Sequence, residues 1–281
     1  MTGDELIGTL DGKPKKYCID LNSCNTVVEA MRYKPLFQHL ENEVLPEIER
    51  KAKKEKFKER DGGWQNHLNH WWKYWRDRPE LVERLNHISR YIACSRVTKR
   101  PIFEFIHNLV RPGDALQVFI LQDDYSFGIL QSTIHWEWFI ERCSSLKSDP
   151  RYTSLTVYNT FPWPQCTNAK DIKSVAQASI NLRKKRKEIM SKNKWCLREL
   201  YRSLDVPGSN PIKETTSELD HAVKIAYGMG SKVDTLEFLL KLNLTLADLE
   251  KKGERIIGPG LPPIIRNESE YITSDCIQPD P

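Results

Sequence analysis

Apolar residues recur at helical spacing between residues 36 and 57, and lysine and glutamate fill the positions between them. This period predicts a helix, which Asp61-Gly62-Gly63 should end. Residues 5–21 lack such a period and predict a short extended lead-in. An aromatic segment, 64–75, and a short helix, 80–88, are expected to follow.

Three runs rich in β-branched and aromatic residues come next, at 90–94, 101–106 and 116–122, and they predict strands. The sequence Arg111-Pro112-Gly113-Asp114 has the composition of a β-turn and predicts a tight link between the last two strands. A helix is expected over residues 129–142. Strands and helices in this order predict an α+β unit with a small sheet.

The pattern becomes wholly helical after Pro164, with predicted helices at 170–192, 195–204, 216–227 and 236–252. The expected fold class is therefore α+β. A small mixed or antiparallel sheet domain with helices should occupy residues 1–165, and an all-helical C-terminal domain with a Pro/Gly-rich tail should occupy residues 166–281.

Composition excludes several classes of protein. The hydrophobic content is 39%, the mean hydropathy is −0.58, and no run approaches the roughly 18 apolar residues that a membrane-spanning helix needs. The first residues lack the basic-then-apolar pattern of a secretory signal. The seven cysteines are scattered without a C-x-x-C pair, which favours reduced thiols in the cytoplasm over disulfides or a zinc knuckle.

The net charge of +5 is only mildly basic, so the distribution of the basic residues is more informative. Clusters occur at 51–60, 96–100 and 183–187. The first and third clusters are typical of solvated helix faces. The second lies between two strand-like runs, where charged side chains more often serve a partner.

No catalytic motif of the phosphate-loop, dinucleotide-binding, zinc-protease or serine-hydrolase type occurs. His67 and His70 have the spacing of two metal ligands, but no further ligand is spaced to complete a site. Asp123 and Asp124 are either a paired-carboxylate site or, more commonly, residues that turn the chain at a strand end. The segment 159–164 resembles the Asn-Pro-Pro-aromatic loop of adenine methyltransferases, but it lacks the central Pro-Pro. We therefore predict no catalytic residue and no metal site in this chain.

The polar loop 147–152 has a composition that suits DNA. Lys147 and Asp149 are two apart, so they point the same way in an extended segment. Lysine donates to guanine O6 and N7, and aspartate accepts from cytosine N4, so the two could read one G·C pair in the major groove. A salt bridge within the loop, or a solvated turn before Pro150, are the alternatives.

Several motifs in order resemble the carboxy-terminal part of MmeI-like enzymes, which are bacterial fused restriction-modification proteins that methylate adenine N6. The motifs are SRYIA at 89–93, FGILQSTIH at 127–135, SDPRY at 148–152, VYNTFPWP at 157–164, HAV at 221–223 and GPGLP at 258–262. The resemblance implies a target-recognition domain followed by a helical C-terminal domain. It also implies that Lys147 and Asp149 set base preference at a G·C pair next to the modified adenine.

The resemblance further implies that this chain has no catalysis of its own. The methyltransferase motifs, with S-adenosylmethionine, and any nuclease site, with Mg²⁺, are expected only in domains upstream. The expected partners are double-stranded DNA and a methyltransferase domain in cis or as a partner subunit, and no membrane. Expected contacts with the DNA backbone or groove are Arg96, Lys99, Arg100, Arg151, Tyr152, Trp72, Lys73 and Arg76.

Framework roles are expected for His135, Trp136, Trp138, Phe161 and Trp163, because aromatic residues at helical or Pro-bracketed spacing usually pack. The alternative function is a protein-interaction module that docks on a partner subunit through its aromatic surface.

Overall fold

The computed structural model describes residues 1–57, 62–146, 149–230 and 232–279. The chain forms two compact units. The main unit comprises Met1–Lys15 and Arg84–Pro281, and the inserted unit comprises Lys16–Glu83. Neither boundary coincides with the predicted division at residue 165, which stays a prediction.

The main unit begins with helix α1 (Gly3–Gly8), where the sequence predicted an extended lead-in. The Thr2 hydroxyl accepts from the backbone N–H of Glu5, and the Glu5 carboxylate accepts from the backbone N–H of Thr2. This reciprocal capping box starts a helix that is too short to show a hydrophobic period. The prediction of an extended segment was therefore wrong at its first residues.

Short helices make up the inserted unit: α2 (Val27–Ala30), α3 (Lys34–Glu43), α4 (Leu45–Phe57) and α5 (Gly63–Leu68), with α6 (Pro79–Asn86) leading out of it. The helix predicted over 36–57 is thus two helices that meet at Val44. Their small core includes Leu21, Phe37 and Trp72.

A three-stranded antiparallel sheet is the centre of the main unit, with strand order β2-β1-β3. The strands are β1 (Arg90–Ser95), β2 (Glu104–His107) and β3 (Leu116–Phe119). All three strands were predicted, and so was their small sheet. The tight turn predicted between the last two strands was wrong, because β1 lies between them and the connection crosses the end of β1.

Two helices, α7 (Asp124–Gln131) and α8 (Thr133–Arg142), follow the sheet where one helix was predicted over 129–142. Ser132 separates them because its backbone is extended and its hydroxyl caps α8 by accepting from the N–H of His135. A hairpin of β4 (Ser144–Leu146) and β5 (Asp149–Arg151) comes next, and a π-helical turn at Ser154–Tyr158 follows it.

Helices α9 (Ala169–Asn193), α10 (Leu197–Arg202), α11 (Pro211–Ala226) and α12 (Thr235–Lys251) complete the unit, with 3-10 turns at Ser203–Asp205 and Glu268–Tyr271. Helices α9, α10 and α12 were predicted within two residues of their ends, whereas α11 begins at Pro211, five residues before its predicted start. They share one hydrophobic core with the sheet and with α7 and α8. Gly128 of α7 allows the close approach of α9, since a Cβ there would lie 2.7 Å from Cγ1 of Val175.

Buried charges join α9 to the sheet and to the C-terminal tail. Asp124 accepts from Arg90 and Arg183, and Arg186 donates to Glu104 at 2.9 Å. The cluster 183–187 was predicted to be a solvated helix face, and for Arg183 and Arg186 this was wrong. Both are buried because α9 packs against α7 and the sheet on one side while the tail covers another.

No described helix meets the length and hydrophobicity that crossing a membrane requires.

Candidate nucleic-acid interface

The β4–β5 hairpin is fastened to the loop that follows β1. Its strands pair antiparallel, with Ser144 opposite Arg151 and Leu146 opposite Asp149. The N–H of Tyr152 donates to the carbonyl of Arg96 at 2.7 Å, and the N–H of Thr98 donates to the carbonyl of Pro150 at 3.0 Å. These bonds fix the direction in which the hairpin leaves the sheet. We refer below to residues 144–151 as the hairpin and to residues 96–100 as the loop.

One of the two predicted base-reading residues, Asp149, lies on the described part of this hairpin. Asp149 is exposed and is the first residue of β5. Lys147 and its neighbour Ser148 lie outside the described residues. The structure therefore gives a position for Asp149 alone, and the pairing of the two side chains stays a prediction.

The loop and the hairpin bring together four of the predicted DNA-binding cations. Arg96 donates to the carbonyl of Asp114 at 3.1 Å, and the guanidinium of Arg100 lies 4.1 Å from the centre of the Trp136 ring. Lys99 is exposed, and Arg151 is half-buried opposite Val97, with which it forms an isolated β-bridge. Cations on a rigid backbone of this kind suit phosphate contacts.

Tyr152 cannot be a DNA contact, because its side chain is wholly buried, so this prediction was wrong. Its hydroxyl is 3.0 Å from Nε2 of His135, and its ring stacks on Phe139 with the ring centres 5.5 Å apart. Burial lowers the pKa of His135 to about 3, so the imidazole is neutral. Tyr152 is an anchor that holds the end of the hairpin in the core.

The remaining predicted contacts belong to the inserted unit. Trp72 is 7% exposed and donates its indole N–H to the carbonyl of Cys24, so its assignment to DNA was also wrong. Lys73 is half-buried and Arg76 is exposed, and their roles stay predictions. The aromatic residues of the inserted unit lie either in its small core or on its surface.

The aromatic residues of the main unit are mostly interior. Trp138, Phe161 and Trp163 are buried, as predicted, and so is His135. Trp136 is half-buried and donates its indole N–H to the carbonyl of Lys99. This hydrogen bond and the contact of Arg100 with the Trp136 ring attach the loop to α8.

The adjacent carboxylates Asp123 and Asp124 do not form a catalytic pair. Asp123 caps α7 by accepting from the N–H of Ser126 at 2.7 Å, and burial raises its pKa to about 6. Asp124 lies between two arginines and accepts from Thr273 as well. Among the residues that the structure describes, no group of three or more His, Cys, Asp and Glu side chains could hold a metal ion.

One surface residue beside the hairpin was not identified from the sequence. Leu155 is 77% exposed. Polar and apolar residues alternate over Ser154–Tyr158, and in a strand this alternation would bury Leu155 on the same face as Val157. The π-helical turn separates the two residues, so that Val157 enters the core and Leu155 does not. Only a signal for this rare turn would have revealed it.

Comparison with known proteins places the hairpin and the loop in a known domain. Residues 92–165 match the family described as "MmeI, target recognition domain". The chain is 33% identical over 123 residues to DNA methyltransferase A of Bacillus subtilis (strain 168), an alignment that covers 42% of this chain and 13% of that protein.

A solved structure of the Type IIL restriction-modification enzyme MmeI in complex with DNA superposes with a TM-score of 0.65 and 23% identity. The match covers 89% of this chain and 31% of that one, so the chain spans about a third or less of the length of the relatives it matches. At this identity the superposition shows a shared fold. The family match gives residues 92–165 as similar to the MmeI target recognition domain, and the superposition gives the same fold over most of this chain.

Proposed function

We propose that this chain recognises a specific sequence in double-stranded DNA, as the target-recognition module of a restriction-modification adenine-N6 methyltransferase. The observation that carries the proposal is the hairpin itself, which lies within the matched residues 92–165. Its backbone is bonded at Tyr152 and Pro150 to a loop that carries three cations. A rigid, polar and charged edge of this kind suits the major groove of DNA.

In this proposal Lys147 and Asp149 read one G·C base pair next to the modified adenine. The lysine ammonium donates to guanine O6 or N7, and the aspartate accepts from cytosine N4. Asp149 supports this role because it is exposed at the start of β5.

Phosphate contacts fix the position of such a reader without specifying sequence. We assign them to Arg96, Lys99, Arg100 and Arg151. The Arg96 guanidinium also lies 3.5 Å from the carboxylate of Asp114. This carboxylate is exposed, so a DNA phosphate can replace it as the partner of Arg96. Arg100 is preoriented by Trp136, so less side-chain entropy is lost when it binds.

The catalytic steps belong, in this proposal, to a methyltransferase domain in cis or on a partner subunit. S-adenosylmethionine would bind there, and Mg²⁺ would serve any nuclease domain. The chain spans 13% of the Bacillus relative and 31% of the solved MmeI chain, so such proteins have room for those domains.

The test is selection of randomised duplexes by the wild-type chain and by the charge-swapped variant Lys147→Glu/Asp149→Arg. We expect a consensus from each, and the two should differ at one base pair. The matched control is Glu237→Arg/Lys241→Glu, which reverses an exposed ion pair on α12 and should select the wild-type consensus. Equal weakening on every duplex would show that the hairpin acts only through its charge. Absence of any consensus for the wild-type chain would contradict DNA recognition itself.

A protein-interaction module is the second candidate. One observation favours it, because Trp75 is 46% exposed and Tyr74 is 41% exposed on the inserted unit. The burial of Trp138, Trp163 and Tyr152 removes most of the aromatic surface that this function would use in the main unit.

A further inference from the structure

The π-helical turn after the hairpin is fixed on its inner side. Val157 is wholly buried, and its carbonyl accepts from the indole N–H of Trp138 at 3.2 Å. The Tyr158 ring lies 4.9 Å from the ring of Phe119 on β3. The N–H of Asn159 donates to the carbonyl of Ser154 at 2.8 Å and closes the turn. The outer side of the turn is therefore presented on a rigid base.

Leu155 occupies that outer side. With 77% of its surface exposed, it is among the most exposed large apolar residues in the described part of the chain. A single exposed leucine is ordinary on a protein surface. This one differs because a rare π-helical turn holds it outward while the other side of the turn is fixed in the core.

Gln117 ties the turn to the same end of the sheet as the loop. Its side-chain amide donates to the hydroxyl of Ser154 at 3.0 Å. Gln117 is opposite Cys94 in the sheet, two residues before the loop begins at Arg96. Leu155 therefore lies on the side of the main unit that carries the hairpin and the loop.

Trp138 links the turn to an exposed cation. Its indole N–H donates to the carbonyl of Val157, and the guanidinium of Arg142, the last residue of α8, lies 5.6 Å from the centre of its ring. An exposed apolar side chain that faces DNA has one apolar counterpart on the base edges in the major groove, the C5-methyl group of thymine.

We propose that Leu155 packs against the C5-methyl group of a thymine close to the base pair contacted by the hairpin. Leu155 is then a further specificity-determining residue, and Gln117 is a positioning residue that holds its turn. The inference rests on the proposed function, since it requires DNA in contact with the hairpin.

The experiment replaces each thymine of the selected duplex, one at a time, by uracil, which removes only the C5-methyl group. For the wild-type chain we expect one position at which the replacement weakens binding about fourfold, the value of one buried methyl-sized group. The Leu155→Ser variant should lose about the same factor on the unmodified duplex, and it should not respond to uracil at that position. Leu109→Ser removes a leucine that is 68% exposed elsewhere in the main unit, and it should behave as wild type.

The Gln117→Leu variant tests the positioning role. It should show a reduced response to uracil at the same position while responding normally elsewhere. Either of two results would overturn the inference about Leu155: a wild-type chain that responds to no uracil replacement, or a Leu155→Ser variant that responds as the wild type does. Failure of the proposed function is distinguishable, because the wild-type chain would then select no duplex at all.

Discussion

Asp123 and Asp124 are adjacent and both buried, yet their carboxylates have opposite surroundings. Asp124 is between Arg90 and Arg183, which compensate its charge. Asp123 has no arginine partner among the residues that the structure describes, and it accepts mainly from the N–H of Ser126. Burial, with a smaller contribution from the charge of Asp124, raises its pKa from 3.8 to about 6. The charged form of Asp123 therefore opposes folding.

We predict that Asp123→Asn stabilises the protein at neutral pH. Asparagine caps a helix as well as aspartate does, so the capping hydrogen bond is kept and the buried charge is removed. The pKa of Asp123 is higher in the folded protein than in the unfolded one. The contribution of Asp123 to the stability of the wild type is therefore fully present below about pH 4, and it is lost as the pH rises through about 6. The variant should exceed the wild type by about 1–3 kcal/mol above that range and by nothing below it.

Urea unfolding of both proteins across this pH range measures the difference. The matched control is Asp171→Asn, which makes the same substitution at a half-buried carboxylate in the first turn of α9. A difference between Asp123→Asn and wild type that stays constant with pH would contradict the argument.

At the scale of elements, the C-terminal tail pairs with β2 through an isolated parallel bridge and supplies counter-charge to buried arginines. The N–H of Ile277 donates to the carbonyl of Phe105 on β2, and its carbonyl accepts from the N–H of His107. Asp275 accepts from Arg183 at 2.9 Å. Burial alone would raise the pKa of Asp275, but the hydrogen bond and charge of Arg183 hold it well below its usual range.

Removal of the tail after Ile272 should therefore destabilise the main unit strongly. Arg90 and Arg183 would share Asp124 as their remaining described carboxylate, and unpairing a buried charge costs about 3–5 kcal/mol. Urea unfolding should show the loss. A chain that lacks only residues 278–281 keeps Asp275 and Ile277, and it should unfold as the full chain does. Equal stability of all three chains would show that the tail is dispensable.

Elements with a strong period were predictable, and their junctions were not. Strands β1 to β3 and helices α9 to α12 follow from apolar spacing. The break between α7 and α8 depends on the Ser132 hydroxyl, which caps α8. The apolar period of the sequence continues through this residue and gives no sign of the break. The crossing between β2 and β3 depends on which strand pairs with β1, and local turn composition does not encode that choice.

The candidate interface rests on segments that the charge pattern of the sequence indicated, and its role in DNA binding stays a prediction. The structure bonds the loop to the described end of the hairpin at Pro150 and Tyr152. Tyr152 was misassigned because strand alternation alone does not say which side of a hairpin end faces the core. Arg183 and Arg186 were misassigned because the carboxylates they meet, Asp124, Glu104 and Asp275, are about 60 to 90 residues away in the chain.

At the scale of the whole molecule, a net charge of +5 is too small to hold DNA without local concentration. The loop and hairpin supply that concentration through Arg96, Lys99, Arg100 and Arg151. Each phosphate contact releases counterions from DNA, so the logarithm of the association constant falls with the logarithm of salt concentration, with a slope of about 0.9 per contact.

Four contacts should therefore lower the affinity for DNA about a hundredfold between about 0.1 M and about 0.4 M salt. Lys99→Ala should reduce the slope by about one, on every duplex alike, because a phosphate contact carries no sequence information. Lys241→Ala removes a similarly exposed lysine on α12 and should leave the slope unchanged. Fluorescence anisotropy with a labelled duplex measures the affinity of all three proteins.

The salt dependence also separates the two candidate functions. Binding to a partner protein through apolar contacts would survive about 0.5 M salt. A chain that binds a protein under those conditions, and whose affinity for DNA does not depend on Lys99, would favour the interaction module over the DNA reader.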